Sequence, residues 1–133
     1  MDTYVDLANA PIEVLTGNDS IVVTLVLETI RGGRTLDVTG FTPDVIPGGH
    51  VIIHDTITKE YKPMPVDIST GKYDTLPTGH EYAGFQIGSV LKTKALGSIL
   101  TRGGINPNAS VYDLTDILDD VKKALPLITF NED

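Results

Sequence analysis

Three histidines are the residues in this sequence best suited to chemistry: His50 and His54 in "PGGHVIIH", and His80 in "PTGH". An H-x-x-x-H pair on a helix sets two imidazoles side by side, as zinc hydrolases require, with a glutamate directly after the first histidine to activate water. Here Val51, Ile52 and Ile53 intervene, and β-branched residues after two glycines specify a strand. Four extended steps of about 3.3 Å put the two Cα atoms ~13 Å apart, beyond the reach of two ligand bonds of about 2.1 Å to one ion. His80 could join one of them through folding, and Asp55, Asp74 or Glu81 could supply oxygens, but no spacing demands it. The histidines therefore read as loop residues that hydrogen-bond neighbouring backbone or face a subunit partner. Neither a metal, nor a cofactor, nor a catalytic group is expected.

The two histidine stretches share a simpler logic. Pro47-Gly48-Gly49-His50 and Pro77-Thr78-Gly79-His80 each place proline where the second residue of a turn belongs, and glycine two residues later where a positive φ is needed. Each then enters a short apolar segment, so both are expected to be turn-then-strand units. Other chemistry is absent from the motifs. The serines lack a nucleophile elbow, and "GGINPNA" lacks the Lys-Ser/Thr ending of a phosphate loop. Asp113, Asp116, Asp119 and Asp120 lack the spacing and glycine of a calcium loop and read as a solvated helix face. "RGGR" reads as a hairpin tip before a cationic clamp.

The elements that position these residues follow from length and pattern. A chain of 133 residues is sized for one domain, and 13 glycines with 8 prolines indicate many turns and a mainly β fold. The absence of cysteine excludes disulfides and thiolate chemistry and fits assembly in a reducing cytoplasm. A formal charge of −8 repels a phosphate backbone, so no nucleic-acid partner is expected. With no apolar run near ~20 residues and no signal-like start, no membrane partner and no export by that route are expected either.

Residues 1–19 show no sustained period and read as an extended N-terminal arm, leaving 20–133 as a single β-rich domain. "SIVVTLVLETI" alternates as a long strand with Ile21, Val23, Leu25 and Leu27 on one apolar face, followed by a Gly32-Gly33 hairpin turn and a returning strand "TLDVTGF". Val51 to His54 form a strand, Asp55 to Thr58 a turn, and the partner through Tyr61 is an edge because Pro63 and Pro65 cannot donate to a ladder. "DISTGKYDTLPTGHEY" is a long loop. Gly84, Gly88 and Gly97 mark bulges or corners in two or three further strands. Only "SVYDLTDILDDVKKAL" has helical period, with a Ser110/Asp113 cap, acidic residues early, Lys122 and Lys123 late, and Pro126 as the stop. Ile128 and Phe130 then point inward from a final strand.

The order of these elements, with "P-x-G-x-V-I", "YKPMPVD", "LPTGHEYAGF", "ILTRGGINPNASV" and "LPLITF" between Val45 and Phe130, resembles the head-decoration proteins of tailed bacteriophages. A similar pattern occurs in head-fibre or auxiliary capsid proteins. That resemblance implies a compact, lambda-type barrel-like domain of the β-tulip or β-clip kind, with one short C-terminal amphipathic helix. It further implies a homotrimer, assembled in the host cytoplasm, that sits on the capsid exterior of the virion over three-fold positions of the major capsid protein and stabilises the shell without catalysis. The arm would bind the capsid by adding a strand, through Tyr4, Val5, Leu7, Ile12 and Val14. The section from Ser20 to Phe41 is longer and more apolar than the family's simple arm, which leaves the arm's extent open. Two other readings compete: the base of a head fibre, and a small glycan- or ligand-binding β module built around the histidines with Tyr61, Tyr73 and Tyr82.

Overall fold

The computed structural model describes residues 22–130. In chain order the strands are β1 (Val23–Thr29), β2 (Arg34–Thr35), β3 (Val45–Ile46), β4 (Val51–Asp55), β5 (Tyr61–Pro63) and β6 (Val66–Asp67). There follow β7 (Lys72–Tyr73), β8 (His80–Gln86), β9 (Val90–Leu91), β10 (Leu96–Gly97), β11 (Ile99–Ile105), the helix α1 (Leu118–Ala124) and β12 (Ile128–Phe130). The described chain is thus mainly β with one short helix.

A six-stranded sheet runs β12-β11-β8-β4-β5, with β1 also on β11. Leu100 pairs with both Thr29 and Phe85, while Gly103 to Ile105 pair with both β1 and β12. One edge of β11 is therefore held along its length by β1, and the other is shared, by β8 at its start and by β12 at its end. Among the described residues no pairing joins β5 to β1 or β12, so the sheet stays open. Two-stranded ladders β2/β10, β3/β9 and β6/β7 flank it.

The strand β4 explains why "VII" is uniformly apolar. Successive side chains alternate between faces, and both faces are covered: Val51 and Ile53 pack in one core cluster, Ile52 in the other, and all three are buried. The first cluster gathers Met64, Tyr73, Phe85, Leu100, Ile105 and Val121 beneath the helix, and the second gathers Leu36, Phe41, Ile46 and Ile99. The expected turn units form at both places. His50 N–H bonds Pro47 O at 3.1 Å and His80 N–H bonds Pro77 O at 3.2 Å, with Gly49 at φ 84° and Gly79 at φ 80°. The strands they open, β4 and β8, are direct antiparallel neighbours.

The apolar strand β1 forms where the alternation places it; of its apolar residues only Val23 is buried, while Leu25, Val26 and Leu27 are exposed. Three expectations are corrected. The turn at Gly32-Gly33 forms, but the chain leaving it does not return along β1; Arg34 and Thr35 pair with Gly97 and Leu96 instead. The loop before His80 holds the small β6/β7 ladder. The helix begins at Leu118, because Asp113 is drawn into a bridge with Lys72, its N–H bonding Gly71 O at 2.8 Å. Its carboxylate caps Thr115 N–H at 2.9 Å, in place of the expected pairing with Ser110. Lys122 and Lys123 lie late in the helix as the sequence indicated, while Asp116, the expected early acid, falls before it and Asp119 and Asp120 occupy the first turn instead.

Candidate functional site

Each histidine is committed to the scaffold. His50 is buried, and its Nε2 lies 2.9 Å from Met64 O. A carbonyl only accepts, so Nε2 carries the proton and Nδ1 presents a bare lone pair, which finds no hydrogen-bond partner. Three rings enclose it: Phe41 edge-on at 5.4 Å, Tyr73 at 5.1 Å and Tyr112 edge-on at 5.6 Å. Burial pushes the imidazole down to about 4, against the pull of the Met64 carbonyl, so it is neutral at neutral pH. The Tyr73 hydroxyl accepts Val51 N–H at 3.1 Å, and burial pushes its pKa up.

His54 and His80 belong to a cross-strand ladder, where His54 stands opposite Glu81 and Asp55 opposite His80. Directly opposed residues share a face and successive ones do not, so the two pairs point to opposite sides of the sheet. His54 Nε2 lies 3.3 Å from Glu81 Oε1, and His80 Nε2 lies 3.8 Å from Asp55 Oδ2. His80 Nδ1 donates to Thr78 O at 3.1 Å. Asp55 also closes the hairpin tip, accepting Ile57 N–H at 2.8 Å and Thr58 N–H at 3.1 Å through Oδ1, and those bonds hold its carboxyl below the usual range. No group of three or more His, Asp or Glu side chains among the described residues is placed to hold an ion.

A shallow cleft of about 170 Å³ lies beside this ladder, lined by Phe41, Pro63, Pro65, Pro77, Lys62 and His80. Lys62 Nζ sits 4.0 Å from Asp37 Oδ2 at its rim. The cleft offers one loose ion pair, apolar walls and the Asp37 carboxylate, held below the usual range chiefly by the side chain and backbone of Thr39.

The surface feature with most capacity for interaction is β1. It holds β11 on one side, and among the described residues its other side has no partner. Leu25 is 51% exposed, Val26 48% and Leu27 60%, in a strand without lysine or proline, the residues that ordinarily protect an edge. What brings β1 so close to β11 is Gly103, where a Cβ would collide with Leu25 O. The sequence reading marked this section as long and apolar and left its role open; what it could not show is that the strand opposite carries Gly103-Gly104, which offers no side chain to cover it. The arm residues Tyr4, Val5, Leu7, Ile12 and Val14 lie outside the described residues. No family model, curated protein or solved structure matches the chain.

Proposed function

We propose that the protein is a structural subunit of a tailed-phage virion, a non-enzymatic decoration protein that binds the major capsid protein as a homotrimer on the capsid exterior. The observation that carries this reading is the open apolar edge of β1. Strand addition to such an edge gives affinity through main-chain hydrogen bonds and asks little of side-chain identity, which suits a protein whose work is adhesion. The histidines support the same reading from the other side, since each ring sets one nitrogen on a backbone carbonyl or a cross-strand carboxylate. In this reading residues 1–19 are the capsid-binding arm, the flanking ladders complete a barrel-like body, and the charge of −8 keeps coated shells apart.

Light scattering, with and without a chelator, tests the assembly. The expected mass is about 43 kDa, three chains of 14.3 kDa, unchanged by chelation. Co-sedimentation with expanded shells of the phage that carries the gene tests the partner. A monomer that ignores shells would overturn the proposal. The proline-walled cleft at Lys62 and His80 favours a second reading, a small ligand-binding β module, which predicts a saturable rise in melting temperature with a sugar or other small molecule.

A further inference from the structure

We propose that His80 and Asp55 form an acid-operated latch: one proton taken up by the imidazole clamps the hairpin tip at residues 55–58 onto the turn at residues 77–80. The two turns already meet at one carbonyl, since Thr56 N–H and Thr56 Oγ1 both bond Gly79 O at 3.0 Å. Beside that contact, Asp55 and His80 stand opposite each other on β4 and β8 without a hydrogen bond between their side chains. The tip also carries Ile57, which is 85% exposed, so what fastens it decides how an apolar side chain is presented.

The tautomer sets the latch. Thr78 O only accepts, so the proton of the neutral ring sits on Nδ1, 3.1 Å away. Nε2 is left with a bare lone pair, buried and without a hydrogen-bond partner. It faces Asp55 Oδ2 at 3.8 Å, so two acceptors oppose each other across a gap too long for a hydrogen bond. A proton on Nε2 turns that opposition into a donor aimed at a carboxylate, and a charge-assisted bond of about 2.7–2.9 Å needs an approach of only about 1 Å. The ring need not flip, because Nδ1–H keeps Thr78 O in both forms. Asp55 is equally prepared. Ile57 and Thr58 N–H hold its Oδ1 and lower its pKa, so it stays charged in mild acid. Around the ring, Lys62 of β5 lines one cleft with His80, with Asp37 beside it, and Glu81, Asp120 and Lys123 line another. Counting Asp55, carboxylates outnumber ammonium groups there, which favours the proton. Histidine is the side chain that changes charge between pH 5 and 8, so the latch closes within that span.

Amide hydrogen exchange on the full chain tests the latch at Thr56, whose N–H bond to Gly79 O must break when the two turns part. Its protection, corrected for the pH dependence of intrinsic exchange, should rise about three-fold from pH 7 to pH 5, the scale of a partly exposed ion pair. His80→Gln and Asp55→Asn each keep a polar side chain but remove one charge of the pair, and in both the rise should vanish. Glu81→Gln alters the neighbouring rung, where His54 Nε2 already lies 3.3 Å from Glu81 Oε1, and should leave the rise intact. Long-range nitrogen NMR of the wild-type ring at neutral pH should show the Nδ1–H tautomer of His80. An Nε2–H tautomer, wild-type protection that does not change with pH, a rise that survives in His80→Gln, or one lost in Glu81→Gln would each overturn the latch. None of these outcomes depends on whether the protein coats shells.

Discussion

Acid should unfold this protein earlier than its carboxylates dictate, because of His50. The imidazole titrates at about 4 in the folded chain against 6.5 for the free side chain. The unfolded state therefore takes up the proton first, and stability that is fully present above pH 6.5 is lost as pH falls towards 4. A displacement of about 2.5 pH units corresponds to about 3 kcal/mol, of which about 2 kcal/mol is gone by pH 5. The groups around the ring do not offset this, since the Tyr73 and Tyr112 hydroxyls are pushed up by burial and stay neutral across the window. Carboxylates held low, such as Asp37 and Asp113, contribute stability lost only as pH falls through and below about 3.8. Urea unfolding at pH 7, 6 and 5 would measure the loss, alongside His50→Gln, whose amide can still donate to Met64 O but does not titrate. His50→Gln should be less stable than wild type at pH 7, by about 1–3 kcal/mol for lost packing and hydrogen bonding, yet nearly flat to pH 5. Parallel pH dependence in the two proteins would refute the assignment.

Phe85→Ala, at a fully buried position facing Phe130 at 5.9 Å, should cost about 3–5 kcal/mol in urea unfolding. Gly40→Ala and Gly49→Ala separate conformation from space: both have positive φ, but Gly40 faces open space and a Cβ at Gly49 would collide with Val22 Cγ1. The first should cost about 1–2 kcal/mol and the second about 1–3 kcal/mol more, a difference read from the same titrations. Deleting residues 1–14 should leave circular dichroism and cooperative unfolding unchanged while abolishing co-sedimentation with shells; retained coating would remove the arm from the binding account.

What was legible in the sequence is what local chemistry decides. The Pro-x-Gly-His turns, the Asp55 tip and the prolines that make β5 a sheet edge each follow from a residue's own backbone limits. Legible too was the extended path that carries the chain from His50 to His54. Less accessible were features set by what lies across from a segment. Alternation in β1 indicated an apolar face, but whether that face is covered depends on β11, whose central glycines leave it bare. Helical spacing from Val111 onward was real, since Leu114, Ile117 and Val121 are all buried, yet the first turns are lost to the bridge between Asp113 and Lys72, a partner remote in sequence. The aromatic enclosure of His50 likewise joins Phe41, Tyr73 and Tyr112 from three separate segments.

The sharing of β11 by three neighbours imposes an order of events during synthesis. Thr29 ends β1 and Ile99 begins β11, so about 70 residues separate the emergence of the two from the ribosome, roughly 4–14 s at ordinary elongation rates. For that interval the nascent chain carries its stickiest strand with no mate. β12, which completes the other edge of β11, follows only at Ile128 to Phe130, so the sheet's hub closes within the last residues described. A polysome making this protein therefore displays rows of unmated β1 strands at close quarters, where chaperone capture or a slow start to translation of neighbouring chains would decide how many reach the native register.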